Sequence, residues 1–130
     1  MSEVKDQLLY SKEHEWVEVI GEGMIRIGIT DFAQSQLGDI VFVELPEVGA
    51  DVQAEASLGN IESVKTVSDL YAPVSGVVTK VNTSLLDEPE TVNSDAFGAG
   101  WMIELEINES AKEALKQLLT ADQYREYTAE

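Results

Sequence analysis

Cysteine is absent from this sequence, which removes disulfides, thiolate metal sites and cysteine nucleophiles at a stroke. A single histidine leaves too little for a His-based metal cluster or a Ser-His-Asp relay, so no metal site and no catalytic residue is expected. Positive charge is equally scarce: Lys and Arg total 8 against 25 Asp and Glu, a formal charge of −17. Such a surface repels nucleic-acid phosphates and anionic membrane faces, because both need Lys and Arg to neutralise them. It suits protein partners with basic docking faces. No apolar run approaches the ~20 residues a membrane helix needs. The start, "MSEVKDQLLYSKEHEW", is acidic and has no apolar core, so it does not read as a secretory or transit segment. The expected compartment is a bacterial cytoplasm, although a mature organellar protein would read the same. "NTS" and "NES" are therefore chance matches to a glycosylation pattern.

What is present is mostly strand-forming. At 130 residues with 44% hydrophobic content, the chain suits one domain with a real core. "WVEVI" (16–20) and "MIRIGI" (24–29) are rich in β-branched residues, and Gly21 and Gly23 supply a turn between them, so a hairpin is expected. "TDFAQSQLGD" interrupts with a short helix, for which Asp31 and Gln34 read as a capping box and Gly38 as the stop. "IVFVEL" (40–45) resumes the strands until Pro46. From Pro46 to Ile107 the pattern is a series of short strands separated by turns, the spacing of a sandwich or small barrel. "ESAKEALKQLL" then has helical periodicity, with Ser110 and Glu113 as a capping box, and Thr120 with Gln123 starts a second short helix. A weak repeat maps Pro46 onto Pro89 and residues 59–62 onto 101–104, consistent with two similar halves.

One segment stands out. Between Ile27 and Ala111 there are fifteen acidic residues and two cations, Lys65 and Lys80. Lys80 in "VVTKVN" reads as a solvent-facing strand position. Lys65 lies in "GNIESVKTVSD", where no Asn-Gly, Asp-Gly or Pro marks a turn, so periodicity alone runs a strand through it. If a turn does occur there, its amine stands clear of the surface as an attachment point for a long acyl arm. A rigid domain holding such an arm needs no catalytic residues of its own, because the attached group carries the chemistry. Trp16 and Trp101 read as packing residues, with no basic residues expected beside them to build a stacking platform. "GAGW" lacks the helix and lysine of a phosphate loop.

"YSKEHEWVEV", "IRIGITDFAQSQLGDIVFVELPEVG", "GNIESVKTVSDLYAPVSGVVTKVN" and "NSDAFGAGWMIEL" resemble the glycine cleavage H-protein family from about Leu9 to Tyr127. The one mild departure is Thr66 and Val67 after the lysine, where a small residue such as alanine would be usual. The resemblance implies a mainly β barrel-sandwich hybrid with a short internal helix and C-terminal helices. It implies a single lipoyl-carrier domain over 1–130, with its β core at about 8–107 and its helical segment at about 109–127. It implies lipoate in amide linkage on Lys65, exposed on a hairpin and spanning on the order of 14 Å from Cα to the arm's end, at about eleven bonds.

The implied role is that of a carrier and not an enzyme. The arm takes an aminomethyl group from glycine on a pyridoxal-phosphate decarboxylase (the P protein). It delivers that group to a tetrahydrofolate-dependent aminomethyltransferase (the T protein), and a flavin dihydrolipoyl dehydrogenase (the L protein) reoxidises it. Glu62, three residues before the lysine, is then part of what the lipoate-attaching enzyme sees. Glu62 and Asp69 could also interact with the cationic aminomethyl arm, Glu15 could supply a carboxylate to the surface cleft that the resemblance implies for the loaded arm, and His14 is the remaining candidate, reading more as a hydrogen-bonded structural residue than as a ligand. Other readings stay open. A biotin carrier is disfavoured because Val64 and Thr66 replace the methionines expected around a biotinyl lysine. An enzyme lacks a nucleophile–base pair. A lipoyl relay protein, or an unmodified acidic interaction module, remains as the alternative.

Overall fold

In the computed structural model, which describes residues 3–129, the N-terminal β-branched runs form a meander. Strand β1 (Leu9–Tyr10) pairs with β2 (Glu15–Gly21), and β2 pairs with β3 (Met24–Ile29). The β2–β3 turn needs Gly23, whose φ is +72°. Helix α1 (Asp31–Leu37) follows, then β4 (Ile40–Glu44), β5 (Asp51–Val52), β6 (Ser57–Ser63), β7 (Val67–Tyr71) and β8 (Gly76–Val81). Two one-turn helices, α2 (Ser84–Asp87) and α3 (Thr91–Ser94), precede β9 (Ile103–Glu106), and α4 (Glu109–Leu115) and α5 (Ala121–Thr128) end the chain.

The strands form two sheets. One has six strands in the order β1-β2-β3-β9-β8-β5, the other three in the order β4-β6-β7. Alternation puts Val17, Ile25, Ile27, Val78, Ile103 and Leu105 of the first sheet in one buried cluster with Val43, Ile61 and Leu70 of the second. The architecture is the barrel-sandwich hybrid that the resemblance implied. A second cluster holds the C-terminal helix down: Tyr124 of α5 stacks on Tyr10 at 4.5 Å, beside Trp16.

Several sequence expectations shift. Residues 84–94 form helical turns and not strand punctuation, because Leu85 and Val92 each plug the core as a single buried anchor. One turn is too short to show a helical period. The weak repeat therefore fails in its leading half: 46–52 leads into β5, whereas Pro89 sits between α2 and α3. The caps move too. Thr30, not Asp31, accepts the Ala33 N–H, and Gln34 bonds the Asp31 carboxylate instead. Asn108, not Ser110, accepts the Ala111 N–H. Both caps are the extended residues at which the chain leaves a strand. The Thr120–Gln123 box forms both of its bonds, and Gly38 caps α1 at φ +81°.

Trp16 is fully buried, its Nε1 donating to the Ala96 carbonyl at 2.9 Å over Gly28. Trp101 does have basic neighbours, contrary to expectation: Arg26 and Lys80 lie 5.1 and 5.9 Å from its ring. Cross-strand register explains this, because Arg26 and Lys80 each face Glu104, whose carboxylate accepts from Arg26 Nη2 at 2.8 Å.

Candidate functional site

Lys65 does sit on a turn. Strand β6 ends at Ser63 and β7 begins at Val67, leaving 64–66 as a three-residue loop. Ser63 closes it: its N–H donates to the Thr66 carbonyl at 2.8 Å, and its hydroxyl accepts the N–H groups of Lys65 and Thr66, each at 3.1 Å. A serine hydroxyl thus does the work usually given to Asn or Asp in a turn.

The loop rests on the end of α1. The Val64 N–H donates to the Asp39 carbonyl at 3.0 Å, and Lys65 Nζ donates to the Gln36 carbonyl at 3.1 Å. A helix C-terminus favours a cation, although Lys65 is exposed and the contact is correspondingly weak. Asn93 fixes this platform. Its Oδ1 accepts the Ile40 N–H at 2.8 Å, and its Nδ2 donates to Gln34 Oε1 and the Gly38 carbonyl, both at 2.9 Å.

Beside the platform a cleft of about 310 Å³ runs between α1 and β7, lined among others by His14, Glu15, Phe32, Gln36 and Asp69. The amine of Lys65 is therefore bonded to a residue of the cleft wall. His14 and Glu15 come from the turn into β2, where His14 adopts φ +67°. His14 Nδ1 is 2.8 Å from the Tyr124 hydroxyl, and its ring lies between Phe32 and Tyr127. Burial lowers its pKa, so the ring is neutral near pH 7.

Glu15 is only 1% exposed. Its carboxyl accepts the Tyr71 N–H at 2.7 Å and the Ser11 hydroxyl at 3.2 Å. Burial nevertheless outweighs both donors and pushes its pKa up to about 8. It separates the first cleft from a larger one of about 430 Å³, bordered by Ser11, Tyr71, Pro73 and Leu118. Asp69 is exposed at the cleft edge and accepts the Tyr71 hydroxyl at 3.3 Å; its charge raises the Tyr71 pKa.

His14, Glu15 and Asp69 thus border one cleft, and Lys65 reaches its wall through Gln36, although the two segments lie about fifty positions apart in the chain. Glu62 does not join them. It lies half-buried on the outer face of the three-stranded sheet, opposite Phe42 on one side and Val67 on the other. Ser63, Gln36 and Asn93 were not singled out in the sequence. Of these only Ser63 carried a local signal, as a turn-forming hydroxyl two residues before the lysine.

Residues 8–130 match the family model described as Glycine cleavage H-protein. The chain belongs to that family. It is 56% identical over 130 residues to the glycine cleavage system H protein of Bacillus subtilis, covering 100% of this chain and 99% of the relative. It is 54% identical over 127 residues to that of Mycobacterium avium, covering 96% of each. The crystal structure of a glycine cleavage system H protein from Mycobacterium marinum superposes with a TM-score of 0.82 at 41% identity, over 95% of this chain and 97% of that one. The chain is accordingly a lipoyl-carrier component of the glycine cleavage system. Among the described residues no helix is long and apolar enough to cross a membrane.

Proposed function

We propose that Lys65 carries lipoate in amide linkage and that the chain, without catalysing a step itself, shuttles the aminomethyl group of glycine in the bacterial cytoplasm. The P protein loads the arm, the T protein unloads it and the L protein reoxidises it. The observation that carries this reading is the exposed amine of Lys65 on a three-residue hairpin loop, bonded to the wall of a cleft. When bound, the dithiolane supplies the sulfur that takes up the aminomethyl group and the redox couple that is reset afterwards.

The residues present suit such an arm. Its length, on the order of 14 Å, matches the ~13 Å that β7 runs from Val67 to Tyr71 beside the cleft. Phe32 and Leu37 offer apolar contact to a methylene chain, and Asp69 and Glu15 supply carboxyl groups to the same cleft lining. Asp69 is the exposed one of the two. Glu15 carries a proton near neutrality, and an ammonium beside it would draw that proton off. His14, held neutral against Tyr124, shapes the wall without adding a competing charge.

Intact-mass spectrometry after incubation with a lipoate–protein ligase, lipoate and ATP tests the proposal. A lipoyl-sized increment is expected in the wild type and none in Lys65→Arg, which keeps the charge but is not acylated. An increment retained in Lys65→Arg would defeat the assignment. Reconstitution with the three partner enzymes then separates a shuttle from a relay.

A further inference from the structure

Exposed apolar side chains collect beside the Lys65 loop. Val41, Phe42, Val64 and Val67 are 54, 46, 66 and 58% exposed, whereas the other exposed large hydrophobics, Val19, Ile20, Val48, Leu86 and Tyr127, lie outside the three-stranded sheet and its loop. Val64 lies in the loop, and Phe42 and Val67 flank Glu62 in the first cross-strand row beyond it. Residues directly opposite one another point to the same face, so Phe42, Glu62 and Val67 form one outward row. The next row inward in the chain, Val43 and Ile61, is buried, as alternation requires.

Val41 adds to the patch through an irregularity. The β4–β6 register shifts between Ile40 and Phe42, so Val41 and Phe42 are consecutive and yet both exposed. A bulge of this kind re-aims a side chain, and here it turns a valine and an aromatic residue outward where core packing gains nothing. The three strands of this sheet contain no Lys or Arg, and Glu44, Glu62 and Asp69 are spread over its outer face. A central carboxylate, Glu62, flanked by apolar side chains on both neighbouring strands, with Glu44 and Asp69 in the next outward row, fits a partner that brings a Lys or Arg framed by apolar surface.

Reach decides which partner. The lysine side chain extends only ~6 Å from Cα to Nζ, at five bonds, whereas the finished arm extends about 14 Å. Enzymes that act on the arm's end can stand off from the hairpin. The enzyme that builds the linkage has to close over the hairpin itself, and with it the row one residue further along. Resting on the reading of Lys65 given above, we propose that Val41, Phe42 and Val67, with Glu62 set among them, are the docking surface for the lipoate-attaching enzyme. In the step it serves, the deprotonated Lys65 amine attacks the carbonyl carbon of a lipoyl–phosphate mixed anhydride. The C–N bond forms, the C–O bond to the phosphate breaks, and the remaining amine proton is lost to the enzyme or to water. No electrons change hands. Docking must also release Nζ from the Gln36 carbonyl, which occupies it in the free protein.

The test compares Phe42→Ser/Val67→Ser with wild type in two measurements: acylation by a lipoate–protein ligase with lipoate and ATP, followed by intact mass, and reoxidation of the pre-lipoylated, reduced proteins by dihydrolipoyl dehydrogenase. Val19→Ser, 61% exposed on the other sheet, is the surface control. Circular dichroism checks folding, which truncation of exposed side chains should leave intact. Acylation kcat/KM is expected to fall by about five-fold or more in the double variant, the scale of an interface hot spot, mainly through KM. Reoxidation and the Val19→Ser control should stay within about two-fold. A smaller loss, an equal loss in reoxidation, or an equal loss in Val19→Ser overturns the docking surface. Failure of the wild type itself to gain a lipoyl group would remove the occupant as well, and would count against the carrier reading instead.

Discussion

Replacing Glu15 with Gln should make the protein more stable, and increasingly so as pH rises. A buried carboxyl raised to about 8 binds a proton in the folded state that the unfolded chain, at its ordinary 4.5, has already released. Between those two values folding takes up a proton, so stability falls as pH rises through the window and levels off above it. The slope is about 1.4 kcal/mol per pH unit for one group, which makes about 4 kcal/mol from pH 5 to pH 8 as a ceiling. Solvent relaxation around a carboxyl that borders two clefts reduces this, and about 2 kcal/mol is the working expectation. Glutamine keeps the shape. Its carbonyl accepts the Tyr71 N–H and its amide reaches Ser11, and it has no proton to lose.

Urea denaturation of both proteins at half-unit steps from pH 5 to pH 9 gives the difference directly. The many surface carboxylates make total stability depend on pH in their own way, but they are common to both chains and cancel. The difference should be near zero at pH 5, grow to about 2 kcal/mol in favour of Gln by pH 8, and stay flat beyond. A difference that does not change with pH, or one that turns against Gln as pH rises, would mean that Glu15 is ionised in the fold and that its donors outweigh its burial.

Tyr124→Phe removes the hydroxyl shared by His14 Nδ1 and Thr30 Oγ1, and should cost about 1–3 kcal/mol in the same denaturation measurement. Gly28→Ala places a Cβ 2.6 Å from the Trp16 ring, so a loss of about 1–3 kcal/mol is expected, with a red-shifted tryptophan emission if the ring is displaced toward water. Ser63→Ala should cost under about 1 kcal/mol globally yet speed amide exchange at Lys65 and Thr66, read by NMR, because both N–H groups lose their acceptor. In the loaded carrier, Glu15→Ala should hasten release of methylamine-derived formaldehyde; an unchanged rate would detach Glu15 from the arm.

The strands were legible because β-branched alternation is a local signal, and burial follows it nearly residue by residue in "MIRIGI". The turn at Lys65 was hidden for a specific reason. Among the described residues, those with positive φ are His14, Glu55 and three glycines, none in 64–66, so the loop needs no Gly or Asn and leaves no conventional mark. The one-turn helices α2 and α3 escaped notice because a single buried anchor has no period. The cleft was legible only as a set of suspects. His14, Glu15 and Asp69 each read locally as a polar residue of uncertain duty, and only the approach of the two sheets, where the Tyr71 N–H of β7 donates to the Glu15 carboxyl of β2, and the placement of α1 bring them together.

Asn93 shows the limit most clearly. Nothing in "PETVNSD" ties it to a lysine 28 positions earlier, yet its three hydrogen bonds set the end of α1 on which that lysine rests. Composition drew attention to Lys65 and Lys80 as cations where carboxylates prevail, and the family resemblance pointed to Lys65. What holds that amine at the mouth of a cleft is long-range hydrogen bonding among neutral polar groups, which composition does not register. Removing Asn93 should therefore disturb where Lys65 rests without touching any residue that the sequence marked as functional.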